Sequence, residues 1–198
     1  MERLCAVLGD KGCDGIFVLG STGSWHLLDE RQRRALTAAA REGAPASARL
    51  YVGISGTGPE QSVRFASCAA EDGADVVVVT APLMCKYSQG ELAQYFTRIA
   101  DGSPLPLILY HHPRIPTPLE VETIAKLSGH PNIVGVKDTS MDMERFKGLV
   151  DRTAENGVAV MQGSEKLIHE GLKVGGAGCM TALAGALGPG RVECFDLW

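Results

Sequence analysis

Seven short apolar runs recur along this chain, each separated from the next by more polar sequence. They are "GIFVLG" (15–20), "RLYVGIS" (49–55), "ADVVVVT" (74–80), "LPLILYH" (105–111), "NIVGVKD" (132–138), "VAVMQG" (158–163) and "GAGCMT" (176–181). They are nearly continuous in hydrophobicity and do not alternate. Parallel strands covered on both faces have this signature. The segments between them are amphipathic and carry helix-start signals. Asp29 precedes "ERQRRALTAAAREG", Pro59 opens "PEQSVRFASCAAEDG", Ser88 precedes "QGELAQYFTRIADG", Thr117-Pro118 opens "TPLEVETIAKLSG", and Ser164 leads "EKLIHEGLKVGG". A cap residue or proline at the start and a glycine at the stop is the expected helix asymmetry. A spacing of about 18 to 35 residues between strands suits one βα unit each.

Strands alternating with helices make an α/β fold. An open doubly wound sheet would normally show a topological switch and often a glycine-rich nucleotide loop. "GSTGS" (20–24) follows a strand but is not G-x-G-x-x-G and has no P-loop lysine. The expected architecture is a (β/α)8 TIM barrel forming a single domain over residues 1–198, lacking the first strand and the last helix in this chain. "MERLCAVLGDKG" reads as a helix, "GALGPGRVECFDLW" (185–198) is broken by Gly and Pro, and 198 residues are few for a barrel of roughly 250.

Composition excludes several function classes. At 45% hydrophobic, 21% charged and net charge -4, the chain has the profile of one globular domain with a sizeable core. The densest basic run, "RQRR" (31–34), is short and reads as a solvated helix face, so no nucleic-acid partner is expected. No run of about 18 apolar residues exists to span a membrane, and the start is not a signal peptide. The six cysteines are scattered without a C-x-x-C pair, which reads as reduced thiols in a cytoplasmic protein.

In a barrel, the carboxyl ends of the strands line the active-site mouth. Those ends supply Ser21 and Thr22, Tyr110, Lys137 and Gly163. They amount to two hydroxyls, a phenol, an amine and open backbone. A carboxylate pair for hydrolysis is absent, as is a His/Asp/Glu set at metal-ligand spacing, so neither a metal nor another cofactor is expected. An amine beside a phenol suits Schiff-base chemistry. Desolvation among Val134, Val136 and the neighbouring strands should lower the Lys137 pKa and free a nucleophile for the ketone of a 2-oxo acid. Tyr110 would relay protons. The "GSTG" hydroxyls and backbone N–H groups would hold the substrate carboxylate.

The motifs "GSTG", "YHHP", "GVKDTS" and "GGAGCMT" resemble, in order and spacing, those of the pyruvate-dependent class I aldolases. That family includes dihydrodipicolinate synthase and N-acetylneuraminate lyase, and the resemblance runs from residue 1 to about 190. It implies an imine on Lys137 and acid/base work by Tyr110. Ser21 and Thr22 would bind the pyruvate carboxylate, with Thr22 also in the proton relay, and Gly163 and Met180 would line the pyruvate pocket. It further implies pyruvate with an aldehyde as partners, and a homo-dimer or tetramer. Three positions depart from the family: Ser24 stands for a glutamate, Met84 for a relay tyrosine, and Ile115 for an arginine that holds a second carboxylate, with Arg114 one residue earlier. These departures point away from lysine biosynthesis and toward a lyase or aldolase on another 2-oxo acid. A catalytically impaired barrel and a hydratase-aldolase on aromatic 2-oxo acids stand as alternatives. His111 and His112 are adjacent on a strand, so they should face opposite ways and cannot easily share a metal. Met141, Met143, Met161 and Met180 read as fillers of packing gaps.

Overall fold

A computed structural model describes residues 1–182 of the chain. Seven strands form one parallel sheet in strict chain order: β1 (Gly15–Val18), β2 (Arg49–Gly53), β3 (Val76–Thr80), β4 (Leu107–His111), β5 (Ile133–Asp138), β6 (Ala159–Gln162) and β7 (Gly178–Cys179). Every neighbouring pair is parallel. Seven α-helices accompany them among the described residues: α1 (Glu2–Asp10), α2 (Glu30–Gly43), α3 (Pro59–Glu71), α4 (Gln89–Gly102), α5 (Val121–Leu127), α6 (Met143–Thr153) and α7 (Ile168–Lys173). All seven expected strands are present, so the α/β barrel layout is that of the structure over the described residues. The expectation of no terminal helix in 185–198 lies outside them.

Two layers of core sit on the two faces of this sheet. Leu107, Leu109 and Val136 belong to the larger cluster, shared with helix residues such as Phe96, Phe146 and Leu149. The alternate strand positions, among them Val76, Val78, Ile108 and Tyr110, form a separate inner cluster with Met180. Burial on both faces explains why the strand runs do not alternate in hydrophobicity.

Helix starts follow their caps. Asp29 and Ser88 each make a reciprocal capping box, with Gln32 and Glu91. Helix α5 corrects one expectation, because it begins at Val121 rather than near Thr117-Pro118. The Thr117 hydroxyl instead accepts the Tyr87 N–H, while the Gln89 side chain donates to the Pro118 carbonyl and accepts from the Glu120 N–H. Residues 117–120 are thus held against the start of α4. Helix α6 adds an element absent from the sequence reading, although its cap, Asp142, is an ordinary one.

Three side chains depart from their expected environments. Arg33 of the "RQRR" run is 7% exposed, so that run is not a solvated face throughout. Val134, expected inside β5, is 38% exposed. Leu107 pairs with Ile133 but Ile108 pairs with Gly135, so Val134 is an unpaired extra residue at a bulge. Met141 fills no gap: it is 55% exposed with a left-handed φ of 64° in the turn before α6.

Candidate active site

The β4–β5 register sets the centre of the site. Tyr110 pairs with Lys137 and His111 with Asp138, so adjacent pairs face opposite sides of the sheet. Tyr110 and Lys137 face the inner cluster, near the carboxyl ends of their strands. Lys137 is 7% exposed and Tyr110 4%. The Lys137 Nζ lies 4.3 Å from the centroid of the Tyr110 ring and 5.0 Å from that of Phe17. Phe17 meets Tyr110 edge-on, with ring centroids 6.4 Å apart.

Burial is the first cause of the amine's weakened basicity. It pushes the Lys137 pKa down to about 8, against the opposing influence of Glu165 and Cys179. The apolar wall expected from Val134 and Val136 is supplied by the two aromatic rings, since Val134 is exposed and Val136 packs in the helix-side core. Burial also pushes the Tyr110 phenol up, while Ser21, Thr139 and Arg114 pull it back and Glu165 adds to the rise. The phenol therefore keeps its proton at neutral pH and can donate it.

The loop after β1 brings Ser21 to this pair. Ser21 Oγ lies 3.0 Å from the Tyr110 hydroxyl. Thr22, expected in the proton relay, is exposed, and the hydroxyl bonded to Tyr110 is that of Ser21. Left-handed Leu19 (φ 58°) and Ser24 (φ 50°) bracket the loop, a strained conformation for residues with side chains. Arg33 holds the segment that follows it. The guanidinium donates to the carbonyls of Leu28, Trp25 and Ser55 and lies 5.2 Å from the Trp25 ring centroid and 4.4 Å from that of Phe65. Carbonyl dipoles and aromatic faces thus surround this buried cation.

Gly163 follows β6 and donates its N–H to the Asp138 carbonyl at 2.7 Å. A Cβ there would fall 2.1 Å from Thr139 Oγ1 and 3.1 Å from Lys137 Cε. Only glycine fits beside this amine. Met180 is 8% exposed and packs in the inner cluster with Tyr110. The structure therefore gathers Lys137, Tyr110, Ser21, Gly163 and Met180, and leaves Thr22 at the surface of the loop.

Sequence reasoning missed three contributors. Phe17 lies under the amine. Thr139 Oγ1 is buried near the phenol and helps to pull its pKa down. Glu165 is half-buried and close enough to act electrostatically on both Lys137 and Tyr110. Period-two spacing was a usable signal for Thr139, two residues beyond Lys137.

On the opposite face, Asp138 accepts from the Ser140 hydroxyl at 2.7 Å and meets Arg145 Nε at 3.5 Å. His111 is buried beside them, and burial together with Arg145 pushes its pKa down to about 4. His112 instead lies against Tyr110, with ring centroids 5.7 Å apart. The two imidazoles thus serve different faces, as their adjacency requires. Met84 is 90% exposed, and Ile115 is buried at 6% in the helix-side core, whereas Arg114 is exposed.

Comparison with known proteins identifies the family. The model of the dihydrodipicolinate synthetase family matches residues 1–195. A 4-hydroxy-tetrahydrodipicolinate synthase of Mycolicibacterium paratuberculosis is 35% identical over 183 residues, covering 92% of this chain and 60% of that protein. One from Streptomyces coelicolor is 33% identical, covering 92% and 59%. The chain thus spans about 60% of the length of these curated relatives. Among solved structures, a dihydrodipicolinate synthase from Thermotoga maritima superposes with a TM-score of 0.94 at 25% identity, over 99% of this chain and 68% of that one. A prophage protein of the dihydrodipicolinic acid synthase family from E. coli K12, in complex with pyruvate, gives 0.91 at 26% identity, over 98% and 68%. Strand order and sequence similarity converge: this chain belongs to the dihydrodipicolinate synthetase family.

Proposed function

We propose that this protein is a Schiff-base-forming lyase or aldolase acting on pyruvate or another 2-oxo acid, without a cofactor. The observation that carries the reading is Lys137, a buried amine with its pKa lowered to about 8 and seated 4.3 Å from the Tyr110 ring. The neutral amine adds to the C2 ketone, and loss of water gives an imine. Its protonated form draws electrons from C3, so a proton or a carbon–carbon bond there can be released. Tyr110 gives or takes the proton, with Ser21 holding the phenol in place. The backbone of the "GSTG" loop takes the substrate carboxylate, together with Ser21 and Thr22, while Gly163 and Met180 shape the pyruvate pocket. Pyruvate bound to the E. coli relative supports this choice of first substrate. The second substrate is an aldehyde, and the working form is a homo-oligomer.

Sodium borohydride with pyruvate should fix a pyruvate-derived mass on Lys137, and Lys137→Met should abolish it. Wild-type protein that stays unlabelled under conditions that label an intact relative would overturn the proposal. A second reading, a barrel inactive by itself, is favoured by one observation: among the described residues the sheet runs from β1 to β7 without closing. The same labelling decides between the two.

A further inference from the structure

We propose that His112 determines specificity, donating its Nε2–H to an oxygen on C4 of the substrate bound through Lys137. The inference rests on the Schiff-base reading above and goes beyond it by naming the group that reads the half of the substrate away from the imine. Three observations carry it. First, His112 lies two residues beyond Tyr110, nearer the mouth, and its ring stands perpendicular to the phenol ring at 5.7 Å between centroids. It therefore borders the acid/base group at the carboxyl end of the strands, where the site opens. Second, His112 Nδ1 accepts the backbone N–H of Arg114 at 3.1 Å. An imidazole whose Nδ1 accepts must, when neutral, carry its proton on Nε2, so the tautomer is set by the backbone. Third, the ring is only half-buried, which leaves it open to a ligand. Burial, Arg114 and Lys137 all disfavour its charged form, so it offers a neutral donor rather than a cation.

A neutral donor at this place matches an uncharged oxygen. The hydroxyl on C4 of a 4-hydroxy-2-oxo acid is such a group, and so is the carbonyl of the aldehyde from which it forms. A 2-oxo acid without that oxygen would leave the N–H unpaired, the kind of mismatch that discriminates between substrates most sharply.

Borohydride labelling of Lys137 tests this without requiring turnover. The concentrations giving half-maximal labelling are measured for 4-hydroxy-2-oxopentanoate, 2-oxopentanoate and pyruvate, summing intact and pyruvyl adducts. Wild type should prefer the hydroxylated acid over its 4-deoxy counterpart by about tenfold, the value of one hydrogen bond of ordinary strength. His112→Leu should erase that preference, read as the ratio of the two five-carbon acids within the variant, so that any change in its pyruvate labelling does not enter the comparison. His112→Gln, whose amide nitrogen reaches the Nε2 position, should restore most of it, whereas His112→Asn, which mimics only Nδ1, should not. No preference in wild type, or a preference that survives in His112→Leu, overturns the role of His112 while pyruvate labelling still stands. Loss of pyruvate labelling in wild type overturns the Schiff-base reading itself, and this proposal with it.

Discussion

The two faces of one strand pair handle buried charge in opposite ways. On the inner face, Lys137 sits against the rings of Tyr110 and Phe17, and among the described residues no carboxylate lies within salt-bridge distance of it. On the helix face, one residue further along each strand, Asp138 is held by Arg145 and Ser140, with His111 beside it. Both ionisable side chains are nearly inaccessible to water. Where a counter-ion is supplied, the buried group is paired and the site is structural. Where it is withheld, charge is disfavoured, and an amine becomes a nucleophile. The comparison teaches that burial alone does not make a reactive group; burial without a partner does.

Three experiments break or sharpen that contrast. The largest expected effect is on the inner face. Tyr110→Phe should spare imine formation but slow turnover by roughly 10²- to 10³-fold, the usual worth of a positioned acid/base. Single-turnover labelling beside steady-state release of pyruvate separates the two steps. An equal loss in both would deny Tyr110 its separate role.

Next comes the helix face. Arg145→Met leaves Asp138 buried without its cation, and should cost about 3 kcal/mol of stability. A urea melt reads this as a lowered midpoint. The pH dependence of labelling at Lys137 should stay as in wild type, because the two faces answer to different neighbours. A shift in that dependence would mean the faces are coupled.

The smallest effect is the titration itself. With its pKa at about 8, Lys137 is mostly protonated at pH 7 and about half neutral at pH 8. Labelling by pyruvate should therefore rise roughly fivefold between these values, then by only about another twofold before it levels off, since the neutral amine is the reacting form. A rise that continues unchanged toward pH 10 would show an ordinary solvated lysine.

Much of this was legible in the residues. The short apolar runs announced every strand among the described residues because both faces of the sheet are covered, so hydrophobicity needs no phase. Asp29 and Ser88 announced their helices through local hydrogen bonds that need no tertiary help. Lys137, Tyr110 and the "GSTG" loop were legible as strand-end chemistry. What stayed hidden depended on distant neighbours. The start of α5 was lost because Gln89 and Tyr87, some thirty residues earlier, hold the segment that would have extended it. Val134 was misplaced because a bulge cannot be seen in one strand alone.

The sequence by itself determined the order of strands and helices and the kind of chemistry at their ends, because propensity, capping and alternation act within a few residues. Only the tertiary structure decided which hydroxyl meets the phenol, that Phe17 lies under the amine, and that glycine alone fits at position 163. Those outcomes depend on atoms of separate strands brought within a few ångströms, and burial without a counter-charge is a property of that assembly, not of any one residue.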